Sequence, residues 1–462
     1  MTISRGFHPL VAIRGLFGMS FIVSGCFLSG CAVYQSKPLE ESGLDRALAV
    51  PEPSRLIQAA AQLHHPRLAP ITLDFSKPWT DEGIGVLAVL VSPDLKALRA
   101  RQQVAEAQVF AAGLLPDPRF TARFDFPIGG VPTIFHPYTV GPSWDLAKLA
   151  TRGTDQRIAE AQAQRVHDDV AWQEWLVANQ AQLLARRLAY LHRQETLARD
   201  AADVAARLLE LTKQNVEAGD AKITDLGLRE AAFLDARDRA LALARQHEKT
   251  RQDLNRLVGM PPDRPLPIAD INSSPFAEKD PVLLYAQAKR QRLDLRALQA
   301  GYASQEASLY RAILGQFPAF SLGMVGARST GGVETGGPSI SFDIPILNRN
   351  RGGIAIAEAT REQLYQEYVA RLNQTRADIA TLAADLKRIA AEREPLVQEL
   401  PQLARAEQIM REAAATGDVT LLSYETVRAN FLDKQLKLMN LEQAAAEQEV
   451  ALQLAVGSSF VE

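Results

Sequence analysis

The apolar positions along this chain follow two rhythms. From Thr154 to Ala218 there is no glycine or proline, and Leu184, Leu188, Leu191, Leu197, Val204, Leu208 and Leu211 recur at helical steps among Ala, Arg, Gln and Glu. At 1.5 Å per residue such a stretch predicts one helix of about 100 Å, the length of a coiled coil or a helical tube wall. Returning helices are expected over Leu228–Val258 and Val419–Val456, and a second long helix over Ile354–Thr416, kinked or interrupted at Pro395 and Pro401. The other rhythm has a period of two. Phe120, Ala122, Phe124 and Phe126 alternate with Thr121, Arg123 and Asp125, and Tyr138, Val140, Pro142, Trp144 and Leu146 share one parity. Phe320, Leu322 and Met324, then Ile340, Phe342, Ile344 and Ile346, repeat the pattern later. Four strands of roughly ten residues are expected, each with one apolar face. That is the pattern of a tilted membrane strand and equally of a soluble hairpin.

The chain is written twice. Asp94, Leu95, Ala97, Leu98, Glu106, Leu114, Pro118 and Phe120 return 200 residues later. The offset then becomes 198: Ile158–Ala161 returns as Ile356–Ala359, Gly219-Asp220 as Gly417-Asp418, Phe233-Leu234-Asp235 as Phe431-Leu432-Asp433, and Val258-Gly259 as Val456-Gly457. The organisation expected is a leader over 1–30, an irregular arm over 31–80, a first repeat over 81–260, a proline-rich linker over 261–280 and a second repeat over 281–457. Each repeat reads as a helix of about twenty residues, two strands, a long helix, a Gly-Asp turn and a returning helix. The fold class is mainly α with a small β part. Four strands cannot close a membrane barrel, whose minimum is about eight, so membrane-spanning strands require oligomerisation. Three copies would supply twelve.

Composition narrows the function. With 47% hydrophobic and 23% charged residues and a net charge of −3, the chain can bury a core and carries no clustered basic footprint for nucleic acid. Both cysteines, Cys26 and Cys31, lie near the start, which excludes a disulfide framework or a cysteine-based metal site in the body. Arg5 and Arg14 precede an apolar run from Gly15 to Phe27, and Leu28-Ser29-Gly30-Cys31 resembles a bacterial lipobox. That resemblance implies acylation at Cys31, with Cys26 the alternative, and Ala32 favours the outer membrane. Six prolines between residues 35 and 80 argue for an irregular arm, and His64-His65 within it reads as a solvated loop pair rather than a metal site. No phosphate-binding loop, HExxH or GxSxG motif is present, so no enzyme, cofactor or metal is expected.

Several motifs together resemble the TolC-type outer membrane efflux family, particularly its lipoprotein, RND-associated members, with a turn similar to heavy-metal efflux members. They are Arg292-Leu293-Asp294-Leu295-Arg296-Ala297, the strand-to-helix turn Ile344-Pro345-Ile346-Leu347-Asn348-Arg349-Asn350-Arg351-Gly352, Leu400-Pro401-Gln402-Leu403-Ala404, and the tip Gly219 to Leu226. The resemblance implies a homotrimer: a twelve-stranded barrel in the outer membrane above a periplasmic helical tube. It also implies partners, a periplasmic adaptor and an inner-membrane RND pump, with an ABC exporter of a type I secretion system as the alternative. A lipid-anchored periplasmic scaffold without a pore is a reading of another class. Gly219, Asp220, Asp225, Gly417, Asp418 and Glu425 are the expected tip, aperture or adaptor-contact residues, and Pro345, Asn348, Arg349 and Gly352 the strand-to-helix turn. Asp220 and Asp418 also fit a capping role alone, beside the start of each returning helix. The family's ring of tip aspartates is not matched here, which leaves Asp418 and Glu425, or closure by Leu421 and Leu422, to gate the tip.

Overall fold

The computed structural model describes residues 32–49, 51–129, 135–270 and 280–459. The leader and Cys31 lie outside the described residues. Met1–Val50 form one unit, whose described part holds helix α1 (Glu41–Leu48). The second unit, Pro51–Glu462, runs α2 (Pro53–Ala61), α3 (Asp81–Val91), α4 (Pro93–Gly113), β1 (Arg119–Phe124), β2 (Tyr138–Asp145), α5 (Leu146–Ala218) and α6 (Ile223–Leu257). It continues with α7 (Pro281–Gln291), α8 (Leu293–Leu314), β3 (Ala319–Arg328), β4 (Glu334–Asp343), α9 (Arg351–Thr416) and α10 (Leu421–Val456).

Helix α5 is 73 residues long, about 110 Å at the standard rise. It starts eight residues before the expected Thr154, because the Asp145 carboxylate caps it by accepting from the Lys148 N–H at 3.0 Å. One glycine, Gly153, does not break a helix packed against α3, α4, α6, α8 and α10. Its counterpart α9 continues for 66 residues with Pro395 and Pro401 inside it, so the helix is not interrupted there. Both prolines stand at exposed positions, as do Ala391 and Val397, whose carbonyls lose their helical donors there and are open to water.

The two repeats build equivalent cores. Ile84, Ala88, Ala181, Leu188, Leu254 and Val258 pack in one cluster; Leu284, Ala288, Ile379, Leu386, Leu452 and Val456 pack in the other, at offsets of 200 and then 198. Helices α3 and α7, eleven residues each, are therefore part of the repeat, although the sequence pattern did not separate them from α4 and α8. Helix α3 is buried on nearly every side, which hides any amphipathic period. Arg292 joins the repeats. Its guanidinium donates twice to Asp294 at 3.0 and 2.7 Å, donates to the Ala455 carbonyl at 2.9 Å, and lies 4.7 Å from the Trp172 ring of α5.

The arm is less irregular than expected. Helix α2 puts Leu56 and Ala60 into the first core, and Trp79 exchanges backbone bonds with Pro267 and Ala269 at 2.8 Å each. The solvated histidine pair requires correction at one member: His64 is exposed, whereas the His65 side chain is 1% exposed. Its Nε2–H donates to the Ala171 carbonyl at 2.9 Å, and its Nδ1 accepts from the backbone N–H groups of Arg67 and Leu68 at 3.0 Å. Those roles need a neutral ring, and burial holds the His65 pKa below 6.5. A lowered folded pKa means the folded state binds fewer protons. The contribution is thus complete above about pH 6.5 and fades as pH falls through the lowered value. His65→Ala should cost about 1–2 kcal/mol by leaving donors and the Ala171 carbonyl unpaired. It should also make cleavage of the 62–79 segment by limited proteolysis insensitive to pH between 7 and 5, whereas the parent becomes easier to cleave towards pH 5. Equal pH response in both proteins would remove His65 from this role.

Candidate functional site

The four strands form one antiparallel sheet in the order β1-β2-β3-β4, so the two hairpins are joined through β2 and β3. The register puts every even-numbered residue on one face. Phe120 lies opposite Pro142, Ala122 opposite Val140, Trp144 opposite Leu322, Phe320 opposite Phe342, and Leu322 opposite Ile340. The other face carries Arg119, Thr121, Arg123, Ser143, Asp145, Ser321, Ser341 and Asp343. Nothing within the described residues covers the apolar face: Phe120 is 69% exposed, Met324 56% and Ile340 67%. A polar-in, apolar-out sheet with no packed layer over the apolar side suits lipid. Two strands are shorter than expected, β1 with six residues and β2 with eight. Ile344 and Ile346 fall beyond β4, since Pro345 has no N–H for a ladder and the Ile346 N–H turns back to the Ile344 carbonyl at 2.8 Å. Gly141 and Gly323 permit close approach of β2 and β3, because a Cβ at Gly323 would lie 2.5 Å from the Pro142 carbonyl oxygen.

The strand-to-helix turn that carries β4 into α9 is built around a residue not singled out in the sequence. Arg349 and Asn350 both adopt positive φ, 49° and 50°. Asn350 donates its amide to the Ala312 carbonyl at 2.8 Å, fastening the turn to the end of α8. A Cβ at Gly315 would lie 2.8 Å from that amide nitrogen, and one at Gly353 would lie 2.5 Å from its oxygen, so both glycines make room for the asparagine. Asn348 contributes its backbone carbonyl, which accepts from the Arg351 N–H at 3.0 Å. Pro345 ends the strand, and Gly352 falls in the first turn of α9 with open space around it.

At the opposite ends of the long helices, the two tips share one backbone design. Gly219 and Gly417 are left-handed at φ 85° and 84°. The Asp220 N–H reaches the Asn215 carbonyl at 2.8 Å and the Asp418 N–H reaches the Ala413 carbonyl at 2.9 Å, completing the same helix-ending motif. The aspartates therefore serve through their backbone, and the side chains that cap the returning helices are others. Thr420 Oγ1 accepts from the Ser423 N–H at 3.2 Å, and Asp225 accepts from the Lys222 N–H at 3.3 Å. The Asp418 carboxylate accepts from Thr416 Oγ1 at 2.5 Å and stays exposed.

Glu425 departs from its expected place at an open tip. It is 3% exposed, on the face of α10 that packs against α5, and accepts from Arg207 Nε at 2.8 Å. Its second oxygen, Oε2, is buried with no partner. Neighbouring Tyr424 donates its hydroxyl to Glu407 of α9 at 3.1 Å. Below them Val204, Leu208 and Leu432 close an apolar layer, against which Leu422 packs. The first turn of α10 is thus fastened both to α5 and to α9. The equivalent positions in the first repeat, Leu226 and Gly227, carry no polar group. Leu421 is 48% exposed.

Residues 284–458 match the family model described as outer membrane efflux protein. No curated protein matches the chain. Among solved structures the fold is similar to that of the outer-membrane channel OprN, at 18% identity and TM-score 0.66 over 82% of this chain and 90% of that one. It is similar to CusC, described as forming a transmembrane channel, at 15% identity and TM-score 0.66 over 86% of this chain and 98% of that one. The CmeC outer membrane channel of Campylobacter jejuni matches at 15% identity and TM-score 0.65 over 82% and 85%. The chain has the fold of the TolC-type outer-membrane channels, and its second repeat carries the sequence pattern of the outer membrane efflux proteins.

Replacing Arg207 by Ala would leave a buried carboxylate without its cation, a loss of about 1–3 kcal/mol after allowance for the partial exposure of the arginine. Amide exchange across residues 419–427 should then quicken roughly tenfold, since about 1.4 kcal/mol of local opening is a factor of ten. Asp418→Ala should leave that exchange nearly unchanged. An unaltered rate in the Arg207 variant would show that the pair does not hold the start of α10.

Proposed function

We propose that the chain is the outer-membrane exit duct of a tripartite efflux system. Three copies would close twelve strands into a barrel, and their long helical hairpins would extend the duct into the periplasm. The observation that carries this reading is the sheet itself. Among the described residues its apolar face is bare and the outer edges of β1 and β4 are unpaired, and β2 and β4 lead into helices of about 100 Å. Acylation at Cys31 would anchor the chain to outer membrane lipid. The tips at Gly219-Asp220 and Gly417-Asp418 would meet a periplasmic adaptor, beneath which an inner-membrane pump of the RND class supplies the energy. The duct itself would be passive and need no catalytic residue. Asp225 and the exposed Asp418 carboxylate would lie at the adaptor contact. Glu425 would act from within the seam, by holding α10 to α5.

The test is reconstitution of the full chain into planar lipid bilayers. Discrete conductance steps from a detergent-extracted oligomer are expected, together with recovery of an adaptor and an inner-membrane pump from cross-linked membranes. A chain extracted from membranes without detergent, and silent in the bilayer, would contradict the reading.

A further inference from the structure

The internal repeat bears on more than ancestry. Within one chain, α5 of the first repeat packs on α10 of the second. A closed ring in which the repeats alternate requires a second seam, with α9 of one copy against α6 of the next. Because equivalent core residues stay 198 apart from the long helices onward, shifting the first seam by 198 names the residues of the second.

In the seam that the chain contains, Arg187 of α5 donates to Glu447 of α10 through Nε at 2.8 Å and Nη2 at 2.6 Å. One layer nearer the tips, Gln194 donates to Gln443 at 2.9 Å. The shift carries Arg187 to Asp385, Glu447 to Lys249, Gln194 to Glu392 and Gln443 to Arg245. Both new pairs are of opposite charge, and the first has its signs reversed. Lys249, Arg245 and Glu392 are exposed and make no ion pair among the described residues. The Asp385 carboxylate is 35% exposed and reaches only Arg388, one turn along its own helix, at 2.8 Å.

We propose that Asp385 pairs with Lys249, and Glu392 with Arg245, across the boundary between two copies of this chain. The proposal rests on the trimeric reading above. A face of α5 set against α6 of another copy brings Arg187 to Lys249. A face of α9 set against α10 of another copy brings Asp385 to Glu447. Both contacts are repulsive, which disfavours exchanging the seam inside one chain for a contact with another copy. Each boundary is then head-to-tail, the kind of interface that closes into a ring.

The strands follow the same order in their parity. Within the chain, Asp145 lies opposite Ser321, Trp144 opposite Leu322 and Ser143 opposite Gly323. Pairing β4 of one copy with β1 of the next at matching parity sets even-numbered residues such as Phe342 and Ala122 on one face and odd-numbered residues such as Ser341 and Thr121 on the other. The apolar residues remain on one face and the polar residues on the other, and the free edges of β4 and β1 are consumed.

The test uses the full-length chain in outer membranes. A Lys249→Cys/Asp385→Cys variant treated with a short bismaleimide should give covalent species of two and three chains, while each single variant gives none. Lys249→Glu should lose the detergent-stable oligomer at salt concentrations the parent tolerates, and Lys249→Glu/Asp385→Lys should regain it. An oligomer that forms normally but neither cross-links in the double-cysteine variant nor responds to the charge reversal overturns the pairing and leaves the duct reading standing. A parent chain that stays monomeric overturns both.

Discussion

Backbone groups in hydrocarbon have no water to turn to, and in the proposed duct that constraint organises the chain. Among the described residues the sheet presents a bare apolar face and two unpaired edge strands. A single chain cannot satisfy those edges, because four strands are too few to curl into a barrel. In the proposed duct other copies complete the ladder. The helices inherit the same geometry, since β2 leads directly into α5 and β4 turns into α9 through Asn350. Wherever the strands of neighbouring copies meet, their long hairpins must also meet. The side chains on those hairpins therefore face a demand set in the membrane, about 100 Å from the tips.

Much of this was legible from periodicity. The alternation at Phe120–Phe124 and at Ile340–Phe342 marked the strands, and the uninterrupted run after Gly153 marked α5. The doubled spacing of Gly219 and Gly417 marked the tips, where a left-handed residue is required. What escaped depends on contacts distant in sequence. Helix α3 is buried on nearly all sides and shows no period. His65 looked like a loop residue because its partner carbonyl, at Ala171, lies more than one hundred positions away. Pro395 and Pro401 looked like breaks, yet their exposure lets water take the freed carbonyls. Asn350 lies inside the strand-to-helix motif, and only the Gly315 and Gly353 clearances reveal why an asparagine is needed there.

Glu425 was the most instructive tip residue. Its distance from Gly417 suggested an acid at the aperture, but the helical period turns it into the seam with α5, where Arg207 meets it. One carboxylate oxygen stays buried and unpaired, a cost that a purely structural seam of leucines would avoid. Together with the Tyr424–Glu407 bond, it gives the second repeat a polar fastening that Leu226 and Gly227 cannot give the first. The two repeats thus share a backbone and differ in how firmly their tips are tied.

The proposed duct depends on closure of the sheet by further copies of the same chain. Native mass spectrometry of the protein extracted from outer membranes measures that closure most directly. The account predicts a complex of three chains that survives removal of the detergent shell in the gas phase. A monodisperse single chain, with its strand edges intact and its hairpins folded, would contradict it.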